Sequence, residues 1–67
     1  MQIVCATPQA AAQVLYILYR ARLHPVRDFR IQPVLSTEPP LVFTTLVRLP
    51  LWQISKLRRV PDTTISG

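Results

Sequence analysis

Thr7 to Leu23, TPQAAAQVLYILYRARL, is the stretch that leaves this chain least freedom, because residue choice and residue spacing agree there. Thr7 can cap a helix, Pro8 falls at the first helical position where a missing N–H costs nothing, and three strong helix formers follow within Ala10 to Ala12. The stretch predicts a helix of about four turns. Ala11, Val14, Leu15 and Leu18 recur at the spacing that puts them on one stripe, and Ala12, Tyr16, Tyr19 and Leu23 form a second stripe beside it. A helix this apolar needs a sheet or another helix to cover it.

The flanking segments supply the sheet. Gln2 to Ala6 reads as a strand with Ile3 and Cys5 on one face and Val4 and Ala6 on the other, apolar on both sides as a central strand is. The His24-Pro25 step disfavours helix at His24 and turns the chain. Val26 to Leu35 resumes as an extended segment in which Phe29 and Ile31 alternate with Arg30 and Gln32. Pro33 cannot donate to a ladder, so this strand belongs at an edge. Ser36 to Pro40 is a turn, its backbone constrained by two prolines. Leu41 to Leu49 is the clearest strand, rich in β-branched and aromatic residues, with Leu41, Phe43, Thr45 and Val47 on one face and Val42, Thr44, Leu46 and Arg48 on the other. Pro50 opens a second, poorly capped helix from Leu51 to about Arg59, whose inward residues are expected to be Leu51, Ile54 and Leu57. Val60-Pro61-Asp62 ends it, and Thr63 to Ser66 makes a brief final strand.

That order, βαββαβ, predicts an α+β fold of the ferredoxin-like kind over residues 1–67 as a single domain. Its four-stranded antiparallel sheet carries both helices on one face. A chain of 67 residues buries a small core and is marginally stable alone, so association with another chain is expected. Cys5 has no second cysteine to pair with, and one histidine gives no metal-ligand cluster, so no metal and no cofactor are expected. The longest apolar run, Val14 to Tyr19, is six residues, against the ~20 that cross a bilayer. With no leader pattern at the N-terminus, the expected location is the cytoplasm, away from membranes.

Catalysis by this chain is not expected: His24 and Cys5 lie far apart in sequence, and Asp28, Glu38 and Asp62 form no recognisable pair. Eight basic residues against three acidic ones give a net charge of +5, which suits an acidic surface or nucleic acid. The basic residues are spread, however, with only Arg58 and Arg59 adjacent. The surplus is apolar surface. With helices on one side of the sheet, Ile3, Cys5, Val42 and Leu46 are expected to project from the uncovered side. Tyr16 and Tyr19 flank the first helix, and Trp52 shares a side of the second with Lys56 and Arg59, an arrangement suited to a cation–π anchor. These nine residues are the candidate partner contacts. Sheet-surface RNA readers of this topology carry aromatics on the central strands, and Ile3, Cys5, Val42 and Leu46 include none.

The run TPQAAAQVLYILYRARLH, the alternating strand after it, LVFTTLVRLP and ISKLRRVPD together resemble the ACT-domain family. Within it the similarity is greatest to the short regulatory subunits of acetohydroxyacid (acetolactate) synthase, isozyme II type. The resemblance covers almost the whole chain and rests on hydrophobic spacing. It implies a non-catalytic, homodimeric subunit that binds and activates the catalytic chain of acetolactate synthase in branched-chain amino-acid synthesis. It also implies an effector loop at Thr7, Pro8 and Gln9, where a proline and no glycine make close approach of a ligand carboxylate less easy. The glycine that commonly follows the first helix in that family is replaced near Arg22-Leu23. The alternative is a small basic ferredoxin-like module for nucleic-acid binding or complex assembly.

Overall fold

A computed structural model describes residues 1–33 and 38–66. Its elements follow in the order β1 (Gln2–Cys5), α1 (Pro8–Arg20), β2 (Phe29–Gln32), β3 (Leu41–Thr45), α2 (Leu51–Arg58) and β4 (Thr63–Ser66). The strands form one antiparallel sheet ordered β2-β3-β1-β4, the ferredoxin-like arrangement, with β1 and β3 central and β2 at an edge. The expected continuation of the second strand over 34–35 and the start of the Ser36 to Pro40 turn lie outside the described residues. Among the described residues no helix is long and apolar enough to cross a membrane.

The start of α1 follows from Thr7. Its extended backbone leads into the helix, its Oγ1 accepts from the Ala10 N–H at 3.1 Å, and Pro8 occupies the first turn. The end comes three residues before the expected Leu23. There the Arg22 N–H donates to the Tyr19 carbonyl and the Leu23 N–H to the Leu18 carbonyl. This is the Schellman pattern, which needs a left-handed residue after the cap. Arg22 supplies it at φ 65°, where a glycine would do so without crowding its Cβ.

Register decides which strand residues enter the core. Ile3 lies opposite both Phe43 and Ile65, Cys5 opposite Leu41, and Ile31 opposite Phe43. Cross-strand partners share a face, so these residues, with Phe29, make the floor under the helices. Ala10, Ala11, Val14 and Leu18 of α1 and Leu57 of α2 close over it. β3 stops at Thr45 rather than running to Leu49, because its neighbours run out: Thr44 pairs with Gln2, the first residue of β1, and Thr45 with Phe29, the first of β2. The chain bends at Leu46 and Val47, and Leu49 folds back into the core.

The second helix is turned relative to expectation. Leu51 is 82 % exposed, whereas Gln53 is 2 % exposed and Leu57 is fully buried. Pro50, the N-cap residue, makes no side-chain cap, and Leu57 and the half-buried Ile54 pack α2 onto the core. Gln53 helps to set the helix's rotation from a distance: its Nε2 donates to the Ile17 carbonyl in α1 at 3.3 Å.

Candidate functional site

The uncovered sheet face is not where the apolar surplus sits. Ile3 and Cys5 are 0 % exposed beneath the helices, a correction to their expected place on the open side. Both faces of β1 are apolar, so parity alone could not orient the strand, and the pairing of Ile3 with Phe43 orients it. Burial pushes the Cys5 thiol upward, a contact with the Thr63 side chain partly opposing the shift. The residues of the opposite parity, Gln2, Val4, Arg30, Gln32, Val42, Thr44, Thr64 and Ser66, form the open face. Among them only Val4 and Val42 are apolar; they lie opposite each other and are half-buried. Leu46 is exposed, but in the bend beyond β3.

Val47 and Leu51 are exposed with Leu46 around the turn from β3 into α2; the rest of the surplus lies on the helix side, in two places. The first is a groove of about 700 Å³ between α1 and the β2 edge. Ala12 and Leu15 form one wall, Phe29, Ile31 and Phe43 the floor, and Val26 part of the rim. Val26 is 74 % exposed and holds φ 72°, an unfavourable conformation for a β-branched residue. Its surroundings enforce it. Asp28 closes the loop by accepting from the His24 N–H through Oδ2 at 2.8 Å, while its own N–H donates to the His24 carbonyl at 2.8 Å. The Val26 N–H then bonds the Phe29 carbonyl at 2.7 Å. Arg27 adds an ion pair to Asp28 at 2.9 Å. That guanidinium, followed by the His24 N–H, holds the Asp28 carboxyl below the usual carboxylate range.

The second place is the cleft between the outer faces of the two helices, lined by Tyr16, Ile17, Arg20, Trp52, Gln53 and Lys56. The Arg20 guanidinium lies over the Tyr16 ring at 5.9 Å, and Lys56 Nζ over the Trp52 ring at 5.2 Å. Trp52 is 59 % exposed and Tyr16 61 %. The tyrosine flank therefore divides. Tyr16 joins the tryptophan cleft, whereas Tyr19 sets its ring edge-on to Phe29 at 6.5 Å and braces the other groove. Arg59, the C-cap residue of α2, is exposed one turn beyond Lys56.

The expected effector loop is occupied by its own hydrogen bonds. Ala10 and Ala11 donate to the Thr7 side chain and carbonyl respectively, and Pro8 has no N–H, so the first turn offers only the Gln9 N–H to a ligand. Pro8 borders the larger groove, whereas Thr7 and Gln9 do not line it. Cys5 and His24 are not brought together as a reactive pair: the thiol is inside the core and the histidine is exposed on the α1–β2 loop. Among the described residues no three of His, Cys, Asp and Glu gather as a metal site.

Sequence reasoning missed three of the residues that shape these surfaces. Asp28 carried a signal, a carboxylate a few residues beyond a His-Pro turn. Gln53 carried none, because a glutamine within an amphipathic pattern reads as surface. Val26 read as ordinary strand. A scan against protein-family models, a search of curated proteins and a search of solved structures each returned no match.

Proposed function

We propose that the chain is a non-catalytic regulatory subunit. In this reading it pairs with a second copy in the cytoplasm and attaches to the catalytic chain of acetolactate synthase, activating that enzyme in branched-chain amino-acid synthesis. The observation that carries the reading is the open apolar groove between α1 and β2, with Phe29, Ile31 and Phe43 in its floor. Phe29 and Phe43 are themselves buried, and the groove's accessible apolar surface comes from the exposed Val26 and the half-buried Leu15 and Ile31, a patch suited to a partner. A second copy suits the groove because β2 is an edge strand, and two copies of one edge can meet antiparallel about a two-fold axis. A standard interface takes about 800 Å² from each partner, roughly a sixth of this chain's 4790 Å². The groove, the exposed Val26 and Leu15 beside it supply apolar area for such a contact. The whole-chain resemblance to short acetolactate synthase subunits supplies the name of the larger partner.

Nucleic-acid binding through the sheet is disfavoured by the open face, whose described residues include no aromatic for a base to stack on. The test is reconstitution with an acetohydroxyacid synthase catalytic chain. The reading predicts co-elution and a higher turnover than the catalytic chain reaches alone. Separate elution with an unchanged rate contradicts it.

A further inference from the structure

We propose that the cleft between α1 and α2 is a docking site for an acidic segment of a partner protein, one carrying an aromatic or large apolar side chain among its carboxylates. The inference rests on the reading of the chain as a subunit of a larger enzyme and names where and how the attachment is made.

Three observations point to this occupant. The cleft is about 320 Å³, room for a side chain or two rather than for a domain. It lies between two exposed rings, Tyr16 and Trp52, which give a partner's apolar side chain a surface to pack on. Each ring carries its own cation, Arg20 on Tyr16 and Lys56 on Trp52. A cation held against a ring keeps hydrogen-bond donors for a carboxylate, and its long side chain is already partly immobilised, which lowers the ordering cost of pairing. Among the described residues no carboxylate lines the cleft. Asp28 is committed to Arg27 and His24, and Asp62 sits in the turn before β4. Arg20 and Lys56 are the two charged residues among the cleft's described lining, and complementary charge favours an acidic partner.

Single-stranded nucleic acid would also meet cations and rings. It is the weaker fit because the cations already occupy one face of each ring, leaving less surface for stacked bases. Gln53 holds the cleft's geometry, since its bond to the Ile17 carbonyl ties α2 to α1 at the cleft base.

Trp52 is the only tryptophan, so its emission reports on the cleft directly. A blocked Glu-Glu-Asp-Phe-Asp-Glu-Glu peptide should shift that emission saturably, more weakly as salt rises through ~0.1 M. The same peptide with alanine for phenylalanine should bind less tightly. Lys56→Glu and Arg20→Glu should each lower the affinity about tenfold or more, with Lys56→Arg retaining it and circular dichroism confirming that each variant is folded. No shift, equal binding by both charge-reversal variants, or tighter binding by oligothymidylate overturns the proposal. These titrations use the chain alone and do not depend on acetolactate synthase. If the wild type co-elutes with that catalytic chain and the charge-reversal variants co-elute equally well, the docking proposal falls while the subunit reading stands.

Discussion

Of three described left-handed residues, Arg22, Val26 and Asp62, the first two show where the backbone is held against its preference, aspartate tolerating this region better. Arg22 at φ 65° completes the cap of α1, and Val26 at φ 72° forms the rim of the apolar groove. A side chain in this region costs on the order of 1 kcal/mol relative to glycine. Arg22→Gly and Val26→Gly should therefore each raise the unfolding free energy by about 1 kcal/mol, with the larger gain at the β-branched position; urea melts monitored by circular dichroism measure it. If Val26 serves the groove, its glycine variant should also weaken self-association. Asp28 makes a pH prediction. Its carboxyl is held low by Arg27 and the His24 N–H, so the folded value lies below the unfolded one. The clamp's stabilisation is then full above about pH 4 and is lost as pH falls through the folded value. The midpoint of thermal unfolding should drop below pH 4 in the wild type and drop less steeply in Asp28→Asn. The left-handed states of Arg22 and Val26 were not legible in advance, because arginine and valine announce nothing about φ; only the missing glycine after α1 hinted at the first.

Among the elements, α1 was the most legible and α2 the least, for physical reasons. Thr7, Pro8 and the stripe through Val14 and Leu18 each specify the same helix, and the cap bond to Ala10 forms as the residue types require. Thr7→Ala should cost about 1 kcal/mol in the same melts. α2 has no side-chain cap and only a weak stripe, and its inward face was read as Leu51, Ile54 and Leu57. In the structure Gln53 replaces Leu51, held by a bond to a carbonyl 36 residues earlier in the chain, and no local pattern encodes such a contact. Gln53→Ala should destabilise by about 1 kcal/mol and loosen the cleft beside Trp52, visible as a red shift of its emission. β1 was legible as a central strand but not as an oriented one. With Ile3 and Cys5 on one face and Val4 on the other, the decision passed to its pairing with Phe43 and Ile65, a long-range fact. The length of β3 was misread for the same reason: the sequence stays strand-like to Leu49, but the paired register ends at Thr45, and beyond it the Leu46 N–H donates to the Asp28 carbonyl at 2.8 Å before the chain bends away.

For the whole molecule, the surplus of apolar surface was legible and its location only in part. It was expected both on the open sheet face and on the helix flanks carrying Tyr16, Tyr19 and Trp52; the sheet-face part is absent from the described residues beyond Val4 and Val42, whereas the three aromatics are exposed, beside the groove along β2 and in the cleft at Trp52. The candidate contacts Tyr16, Trp52 and Lys56 are brought together. Arg59 lies one turn beyond them on α2, while Tyr19 braces the second surface and Ile3 and Cys5 are withdrawn into the core. A chain of 7.7 kDa that leaves Val26 exposed and Leu15 and Ile31 half-buried along the groove beside β2 is expected to be completed by a second copy. Sedimentation equilibrium over a range of protein concentrations tests this most directly. The account predicts a species of twice 7.7 kDa that dissociates on dilution and is abolished by Ile31→Glu, a charge in the groove floor. A single 7.7 kDa species at every concentration would contradict it.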